Sequence, residues 1–206
     1  MAIRSRQIGW SNKANLLYDV LRELNAVKGQ FAAPPVPPPP PGYVQALTFK
    51  VDNRAGNVGG VAPGIISGFP AFTMYVDWGD GSALQPYVLD ADQFLSHVFP
   101  SNSIFTVRVY LEDPLVIYAI FLGNDLGNFH LLDVDISQMT AIADIELYGN
   151  QLSSAKVNTI LAQLVSNGGY SGILYIPNQT PPAPPTGQGI IDKATLISRS
   201  WSVTTD

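Results

Sequence analysis

The stretch Val76-Asp77-Trp78-Gly79-Asp80-Gly81-Ser82 sets the local fold in the middle of this 206-residue chain. It overlaps the end of a strand-like run, Phe72–Trp78, and it combines two glycines with two aspartates. Glycine allows the positive φ angles of a tight turn, and an aspartate side chain accepts hydrogen bonds from nearby backbone N–H groups. The stretch therefore predicts a turn that leaves a strand and is held by its own carboxylates.

Strand-like runs lie on both sides of this turn. Ala46–Val51 and Ile104–Leu111 alternate apolar with polar residues, as strands with one buried face do. Glycine (18 residues) and proline (17 residues) are both frequent, which favours turn-rich β structure over a helical bundle. We therefore predict an immunoglobulin-like β-sandwich over residues 43–113.

Three motifs in this region resemble those of PKD domains. The turn at 76–82 looks like the family's glycine- and aspartate-rich turn. His97-Val98-Phe99 resembles its H-x-Y motif, and Phe105–Val109 resembles its YTVTLTV strand. The order Asp-Trp-Gly replaces the family's Trp-Asp-Phe-Gly, so this motif is shorter. The resemblance implies a PKD-like sandwich whose turn residues are structural: Asp77, Trp78, Gly79, Asp80, Gly81 and Ser82.

Asp77 and Asp80 also raise the question of a calcium site. Ca²⁺ takes roughly six to eight oxygen ligands, and two carboxylates three residues apart do not match an EF-hand loop. We favour the structural interpretation, and calcium binding at this turn stays open. His97 has no evident serine or aspartate partner pattern, so we expect a structural histidine. We assign no catalytic, cofactor-binding or metal residue, and we expect no cofactor.

The C-terminal region, residues 114–206, resembles a short leucine-rich-repeat domain. The pairs Leu132/Val134 and Ile145/Leu147 lie thirteen residues apart, and Ile145-x-Leu147-x-x-Asn150-x-Leu152 matches the repeat core. Asn150 is expected to bond loop backbone, and Ile173–Gln179 looks like a further rung. The sequence also predicts two helices and a final edge strand, which begins at Trp201. One helix follows Ser153 and the other spans about 189–199, with Ile190, Ile191, Ala194 and Ile197 facing inward.

Three tyrosines of this region, Tyr148, Tyr170 and Tyr175, are possible ligand-binding aromatics that stack on sugars. The alternative, which we favour, is that they pack between rungs.

Residues 1–30 are predicted to form an N-terminal anchor. Ser11 is a good helix N-cap and Gly29 a good terminator, and the apolar residues between them recur at three- and four-residue steps. Such a short helix must bury its stripe against its own body, against copies of itself or in a groove of another protein. We favour self-association with docking. The predicted oligomer or anchor residues are Ile3, Ile8, Trp10, Leu17, Val20, Leu21, Leu24 and Val27.

A proline run, Pro34–Pro41, lies within the linker at residues 31–42. A polyproline II segment of this length spans roughly 25 Å as a semi-rigid rod, which suits a stand-off spacer. The alternatives are an SH3-type ligand or plain disorder, and an SH3 ligand normally has a nearby basic residue that this run lacks.

Charge and composition narrow the function classes. Residues 1–30 hold five basic and two acidic residues, giving +3, and the remainder holds six basic and fourteen acidic residues, giving −8. The acidic body disfavours nucleic-acid binding. The basic segment at residues 1–30 suits contact with an acidic protein surface. The alternative is that a charge of +3 over thirty residues has no functional meaning. There is no cysteine, no apolar run long enough for a membrane span, and no hydrophobic core of a signal peptide after Met1–Gln7.

The N-terminal segment MAIRSRQIGWSNKANLLYDVLREL resembles the N-termini of structural proteins from tailed bacteriophages. The resemblance implies a non-enzymatic virion protein, a head- or tail-fibre or decoration component. Its expected partners are capsid, portal-collar or tail proteins, copies of itself (a trimer is favoured) and a host-surface glycan or protein. The alternative is a bacterial surface or secreted glycan-binding module. An enzyme is least favoured, because the sequence shows no facing carboxylate pair of the kind glycosidases use.

The expected fold class is therefore mainly β with α: an N-terminal helix, a proline linker, an Ig-like PKD sandwich and a small leucine-rich-repeat-like domain.

Overall fold

The computed structural model describes residues 38–54, 64–67, 72–89, 93–124 and 130–206. The predicted anchor at residues 1–30, its apolar residues and the start of the proline run lie outside these ranges. Within the described part, most of the regular structure is β, in two sheets accompanied by two α-helices. The predicted class, mainly β with α, is confirmed.

The first sheet contains five strands, and its neighbouring strands are antiparallel. In spatial order they are β4 (Gln85–Leu89), β3 (Phe72–Asp77), β6 (Ile104–Leu111), β1 (Val44–Asp52) and β8 (His130–Asp135). Phe49 of β1 pairs with Val107 on one side and Val134 on the other, and all three side chains are buried. Alternation along each strand places such rows on the core face.

The second sheet contains six strands and is partly parallel. In spatial order they are β11 (Trp201–Thr205), β10 (Gly172–Ile176), β9 (Asp144–Glu146), β7 (Ile117–Phe121), β2 (Gly64–Ser67) and β5 (Gln93–Phe94). Ile120, Ile145 and Leu174 form one buried row across three parallel strands. The edge position predicted for the strand at Trp201 is confirmed.

Two helices connect the last parallel strands. α1 (Ser154–Asn167) begins after Ser153, whose hydroxyl accepts the Lys156 N–H, and ends at Gly168, whose φ is 76°. It buries the apolar residues Val157, Ile160, Leu161 and Leu164. α2 (Gln188–Ser198) follows β10, and a short 3-10 helix, Pro114–Val116, precedes β7.

The prediction that Ile190, Ile191, Ala194 and Ile197 of α2 face inward is wrong. The three isoleucines are 58%, 58% and 51% exposed, and α2 buries Gly189, Asp192 and Leu196 instead. The reason is the close approach of the two helices at Gly189, where an added Cβ would lie 2.0 Å from Asn158 Oδ1. The side of α2 that carries Gly189 therefore faces α1, and the isoleucines lie on the exposed side.

The strands do not follow the division predicted at residue 113. β8 pairs with β1 in the first sheet, and β2 pairs with β7 in the second. Residues Val36–Asp206 form one compact unit, and nearly all buried apolar residues of its described part form one cluster. The two predicted segments therefore share both sheets and a core.

The thirteen-residue offset between Leu132/Val134 and Ile145/Leu147 does not mark neighbouring rungs, because β8 lies in the other sheet from β9. Asp144 pairs with Ile173, and Ile173 pairs with Ser202, so successive strands are 29 residues apart in both cases. The repeating unit is thus a strand followed by a helix.

Among the described residues, no helix combines the length and apolar character needed to cross a membrane.

Candidate functional site

The turn at Val76–Ser82 is held by hydrogen bonds from its own residues and two neighbours. Asp77 accepts the Gly79 N–H at 2.9 Å and Arg108 Nη1 at 2.9 Å. Asp80 accepts the Ser82 N–H at 2.9 Å, and its second oxygen lies 2.7 Å from His97 Nε2. Each carboxylate oxygen is thus already engaged, and one oxygen of each aspartate closes an Asx-type turn.

Aromatic rings pack beneath this turn. His97 stacks on the fully buried Trp78 with ring centroids 4.6 Å apart, and Phe99 stacks on Phe105 at 4.3 Å. Trp78 also donates its indole N–H to Gln85 Oε1 at 2.8 Å. These contacts attach His97 and the turn to buried aromatic residues.

The pKa of Asp80 is lowered. Burial opposes ionisation of this carboxyl, but hydrogen bonds from Ser82 and from His97 outweigh that effect. Among the described residues, no group of three or more His, Cys, Asp or Glu side chains is arranged to hold a metal ion. The structural interpretation of Asp77 and Asp80 stays a prediction, and calcium binding at the turn stays open.

Two buried amides hold the turns that follow the parallel strands. Asn150 accepts the Leu131 N–H at 2.9 Å and donates to the Leu122 and Leu147 carbonyls. The backbone-bonding role predicted for Asn150 is confirmed. Gln179, one rung later, accepts the Leu152 N–H at 3.0 Å and also donates to the Leu147 carbonyl at 2.9 Å. Sequence reasoning missed the role of Gln179, although the 29-residue step from Asn150 was a readable signal.

The parallel strands carry a surface on the side opposite their buried row, here called the outer face. Two cross-strand rows define it: Asp144–Ile173–Ser202, and Glu146–Tyr175–Thr204. Ile173 is 47% exposed, Tyr175 is 37% exposed, and both hydroxyl residues are exposed. The outer face comprises Asp144, Glu146, Tyr148, Ile173, Tyr175, Ser202 and Thr204.

Two of the predicted ligand aromatics meet on the outer face and the third does not. Tyr148 and Tyr175 lie edge to face, with ring centroids 5.5 Å apart. The Tyr148 ring covers Gly123, where an added Cβ would lie 2.3 Å from the ring. Tyr170 is 79% exposed but precedes β10, roughly 16 Å along the chain from Tyr175.

Asp144 is the least satisfied group of the outer face. Its Oδ1 atom is buried and has no hydrogen-bond partner. Burial raises the pKa of Asp144, because a low-dielectric surrounding disfavours its charged form. A buried carboxylate oxygen without a hydrogen-bond partner is unusual for a residue on the solvent side of a sheet.

A cleft of about 430 Å³ lies where the chain enters the body. Tyr43 lines it and packs edge to face on Tyr75 at 5.0 Å. Burial and the neighbouring Glu112 carboxylate raise the pKa of Tyr43. The cleft is lined by Tyr43, Phe72, Thr73, Val88, Glu112, Asp113 and Val116.

Comparison with known proteins adds no relative. No protein-family model, no curated protein and no solved structure matches this chain. The candidate sites therefore rest on the geometry of the chain itself.

Proposed function

We propose that this chain is a non-enzymatic structural protein of a bacteriophage virion. In this proposal it is a head- or tail-fibre or decoration component, attached by residues 1–30 to capsid, portal-collar or tail proteins. The observation that carries a role in a larger particle is the outward apolar face of α2, which offers a contact surface to other proteins of that particle and is formed by Ile190, Ile191, Ala194 and Ile197. A contiguous exposed apolar patch on a folded body marks a contact surface.

The junction of the proline run with the body supports a stand-off role. Pro40 accepts the Tyr43 N–H at 3.1 Å, and Gly42 has a φ of 87°. Proline followed by glycine at positive φ is the signature of a type II turn. Because β1 begins at Val44, this turn joins the end of the spacer directly to the first sheet.

The use of polar side chains inside the body supports a structural role over an enzymatic one. Asp80 bonds His97, Asp77 accepts from Arg108, and both aspartates also accept backbone N–H groups. The side chains of Asn150 and Gln179 form hydrogen bonds with backbone groups of the turns. We therefore assign these groups to stability and place recognition on exposed surfaces.

The finer architecture belongs to the same proposal. The bonded turn at 76–82, with His97 stacked behind it, supports a PKD-like arrangement of this turn and the strands next to it. The 29-residue strand–helix step supports a leucine-rich-repeat-like region, because such repeats run to roughly 20–29 residues with one strand each.

Light scattering on three forms of the chain tests the proposal. These are the full chain, a version lacking residues 1–42, and a full-length Leu17→Asp/Leu24→Asp variant. We expect an oligomer, with a trimer favoured, for the full chain and monomers for the other two, since charged residues within the apolar stripe oppose bundling. An Ile190→Ser/Ile197→Ser variant checks whether the α2 face adds to assembly.

Monomers in every form would contradict self-assembly through the anchor. The second candidate, a bacterial surface or secreted glycan-binding module, would then move ahead. The tyrosine pair of the outer face is the observation that favours it.

A further inference from the structure

The parallel strands end at β11, which forms an open sheet edge. Of the four edges formed by described strands, β5 is two residues long, β4 contains Pro86, and β8 contains Asp133 and Asp135. Short length, proline and charge all hinder pairing with another chain. β11 is five residues long and contains neither proline nor a charged residue. This edge is therefore open to a further strand.

The free backbone groups of β11 follow from the hydrogen bonds of β10. Ile173 donates its N–H to the Ala143 carbonyl, so Ile173 bonds towards β9 and the next residue, Leu174, bonds towards β11. Leu174 pairs with Val203, and in a parallel ladder it bonds the residues on either side of that partner. Val203 thus directs its N–H and C=O groups away from β10, where no described strand meets them. By the same alternation, the residues with free backbone groups are Trp201, Val203 and Thr205.

An apolar stripe of α2 borders this open edge. Lys193 Nζ donates to Thr205 Oγ1 at 2.8 Å, which marks the side of α2 next to β11. Ile190 and Ile197 lie three and four residues from Lys193, so they share its side of the helix. Arg199, which donates to a backbone carbonyl of α1 at 2.8 Å, lies on a different side. This surface, here called the end face, comprises Trp201, Val203, Thr205, Ile190, Ala194 and Ile197.

A partner that covers the whole end face must bring both a strand and an apolar surface beside it. An extended peptide would pair with β11 but leave the isoleucines of α2 uncovered, and a helix alone would leave the backbone groups of β11 unpaired. A second copy of this chain offers the same strand edge and the same apolar stripe. A two-fold axis perpendicular to the sheet makes the two β11 strands antiparallel and keeps both copies of α2 on one side of the joined sheet.

We propose that the end faces of two copies join, with β11 paired antiparallel to β11 of the second copy about Val203. This register uses all three residues with free backbone groups, and it places Ser202 opposite Thr204 of the second copy. No charged residue lies in β11 or in the α2 stripe, so no like charges meet. The inference rests on the proposed function and deepens it, because it makes a neighbouring copy on the same particle the partner of α2.

The size of the end face limits the strength of this pairing. The five residues of β11 and the eleven residues of α2 each span roughly 16 Å, and the two layers lie about 10 Å apart. The resulting area of a few hundred Å² is well below the roughly 800 Å² per partner of a stable interface. Free chains at light-scattering concentrations therefore stay unpaired through this face, whereas copies held close together on one particle pair.

Disulfide cross-linking of the full-length chain at high protein concentration tests the register. The chain has no cysteine, so introduced thiols are the only ones present. Opposite residues of an antiparallel pair lie roughly 4.5–5.5 Å apart, whereas diagonal neighbours lie roughly 7–8 Å apart, too far for ready disulfide formation. A mixture of Ser202→Cys and Thr204→Cys is therefore expected to cross-link about tenfold faster under oxidised glutathione than either variant alone.

Matched variants separate paired end faces from random collision. Tyr170→Cys mixed with Thr204→Cys joins two exposed positions that the proposed register does not bring together. Ile190→Ser/Ile197→Ser, added to both members of the first mixture, should remove most of its advantage in rate. Val98→Ser, at an apolar residue that is 62% exposed and lies outside the end face, should leave that advantage unchanged.

Two results overturn the inference. One is a mixture that cross-links no faster than the single variants or the Tyr170→Cys control, which would leave the end face to a strand or helix of a different protein. The other is a faster mixture that Ile190→Ser/Ile197→Ser leaves unchanged, which would show that β11 pairs without α2. Cross-linking reports on β11 and light scattering on residues 1–30, so failure here is distinguishable from failure of the anchored-oligomer proposal.

Discussion

At the scale of single residues, the Asp80–His97 pair joins the bonded turn to the buried aromatic rings. Their side chains are 4% and 10% exposed, and one ring and one carboxylate link the turn to the aromatic stack behind it. Removing one partner of so buried a pair leaves the other without its bond. The pair therefore ties the turn to the core more firmly than an exposed ion pair would.

Asp80→Asn is expected to destabilise the chain by about 2–3 kcal/mol at pH 7. Because the folded pKa of Asp80 lies below its ordinary 3.8, its contribution is present above that value and is lost as pH falls towards the folded pKa. Urea unfolding at pH 7 and pH 3 measures both effects. The difference from the parent chain should narrow at pH 3.

Glu112→Gln, at an exposed carboxylate, is the control and should change stability little. A deficit of Asp80→Asn that is equal at both pH values would show that the ionised carboxylate is not what holds the turn.

Residue-level prediction from sequence worked where the chemistry is local. Asp77, Asp80 and Asn150 bond backbone groups close to them in space or in sequence, and turn chemistry anticipates such bonds. Asp144 could not be anticipated, because its lack of a partner depends on how β7, β9 and β10 enclose it. Burial of this kind is a tertiary property.

At the scale of elements, the positions of strands and helices could be predicted from the sequence, but the buried face of α2 could not. The predicted run at Ile104–Leu111 coincides with β6, and the helix after Ser153 coincides with α1. The face of α2 was predicted wrongly, because hydrophobic periodicity assumes that the apolar side is the buried side. At α2 the side that carries Gly189 faces Asn158 of α1, and the apolar face with the isoleucines points outward.

Two glycines with nearly equal φ angles separate backbone strain from crowding. Gly168 ends α1 at φ 76° with no atom within 4 Å of an added Cβ, so Gly168→Ala should cost about 1–2 kcal/mol from φ alone. Gly79 has φ 72°, and its added Cβ would lie 2.3 Å from the Thr106 carbonyl oxygen. Gly79→Ala should therefore lower the free energy of unfolding by several kcal/mol more than Gly168→Ala does. Thermal melts of both variants measure the difference, and equal losses would contradict the crowding argument.

At the scale of the whole molecule, the exchange of strands between the two predicted segments decides how the body unfolds. β8 completes the sheet that contains β1, and β2 pairs with β7 of the second sheet. The sequence could not reveal these pairings, since they join residues far apart in the chain and depend on register rather than on local pattern. Alternation predicts that a strand exists but not its neighbour.

Residues 43–206 are expected to unfold in one cooperative transition. Amide NMR signals from β3 and from β11, followed through a urea titration of the full chain, should lose intensity with the same midpoint. The shared sheets and the single core cluster provide the physical reason. Midpoints that differ clearly between β3 and β11 would instead support two independent folding units, divided near residue 113.

The regular 29-residue step from β9 to β10 to β11 has a consequence for diversification. A duplicated strand–helix segment inserted in register would meet the same backbone partners on either side and the same helix packing. Each such duplication would widen the outer face by about 4.8 Å without disturbing the first sheet. The extent of that face could then change by adding or removing whole units, a coarser route than point substitution.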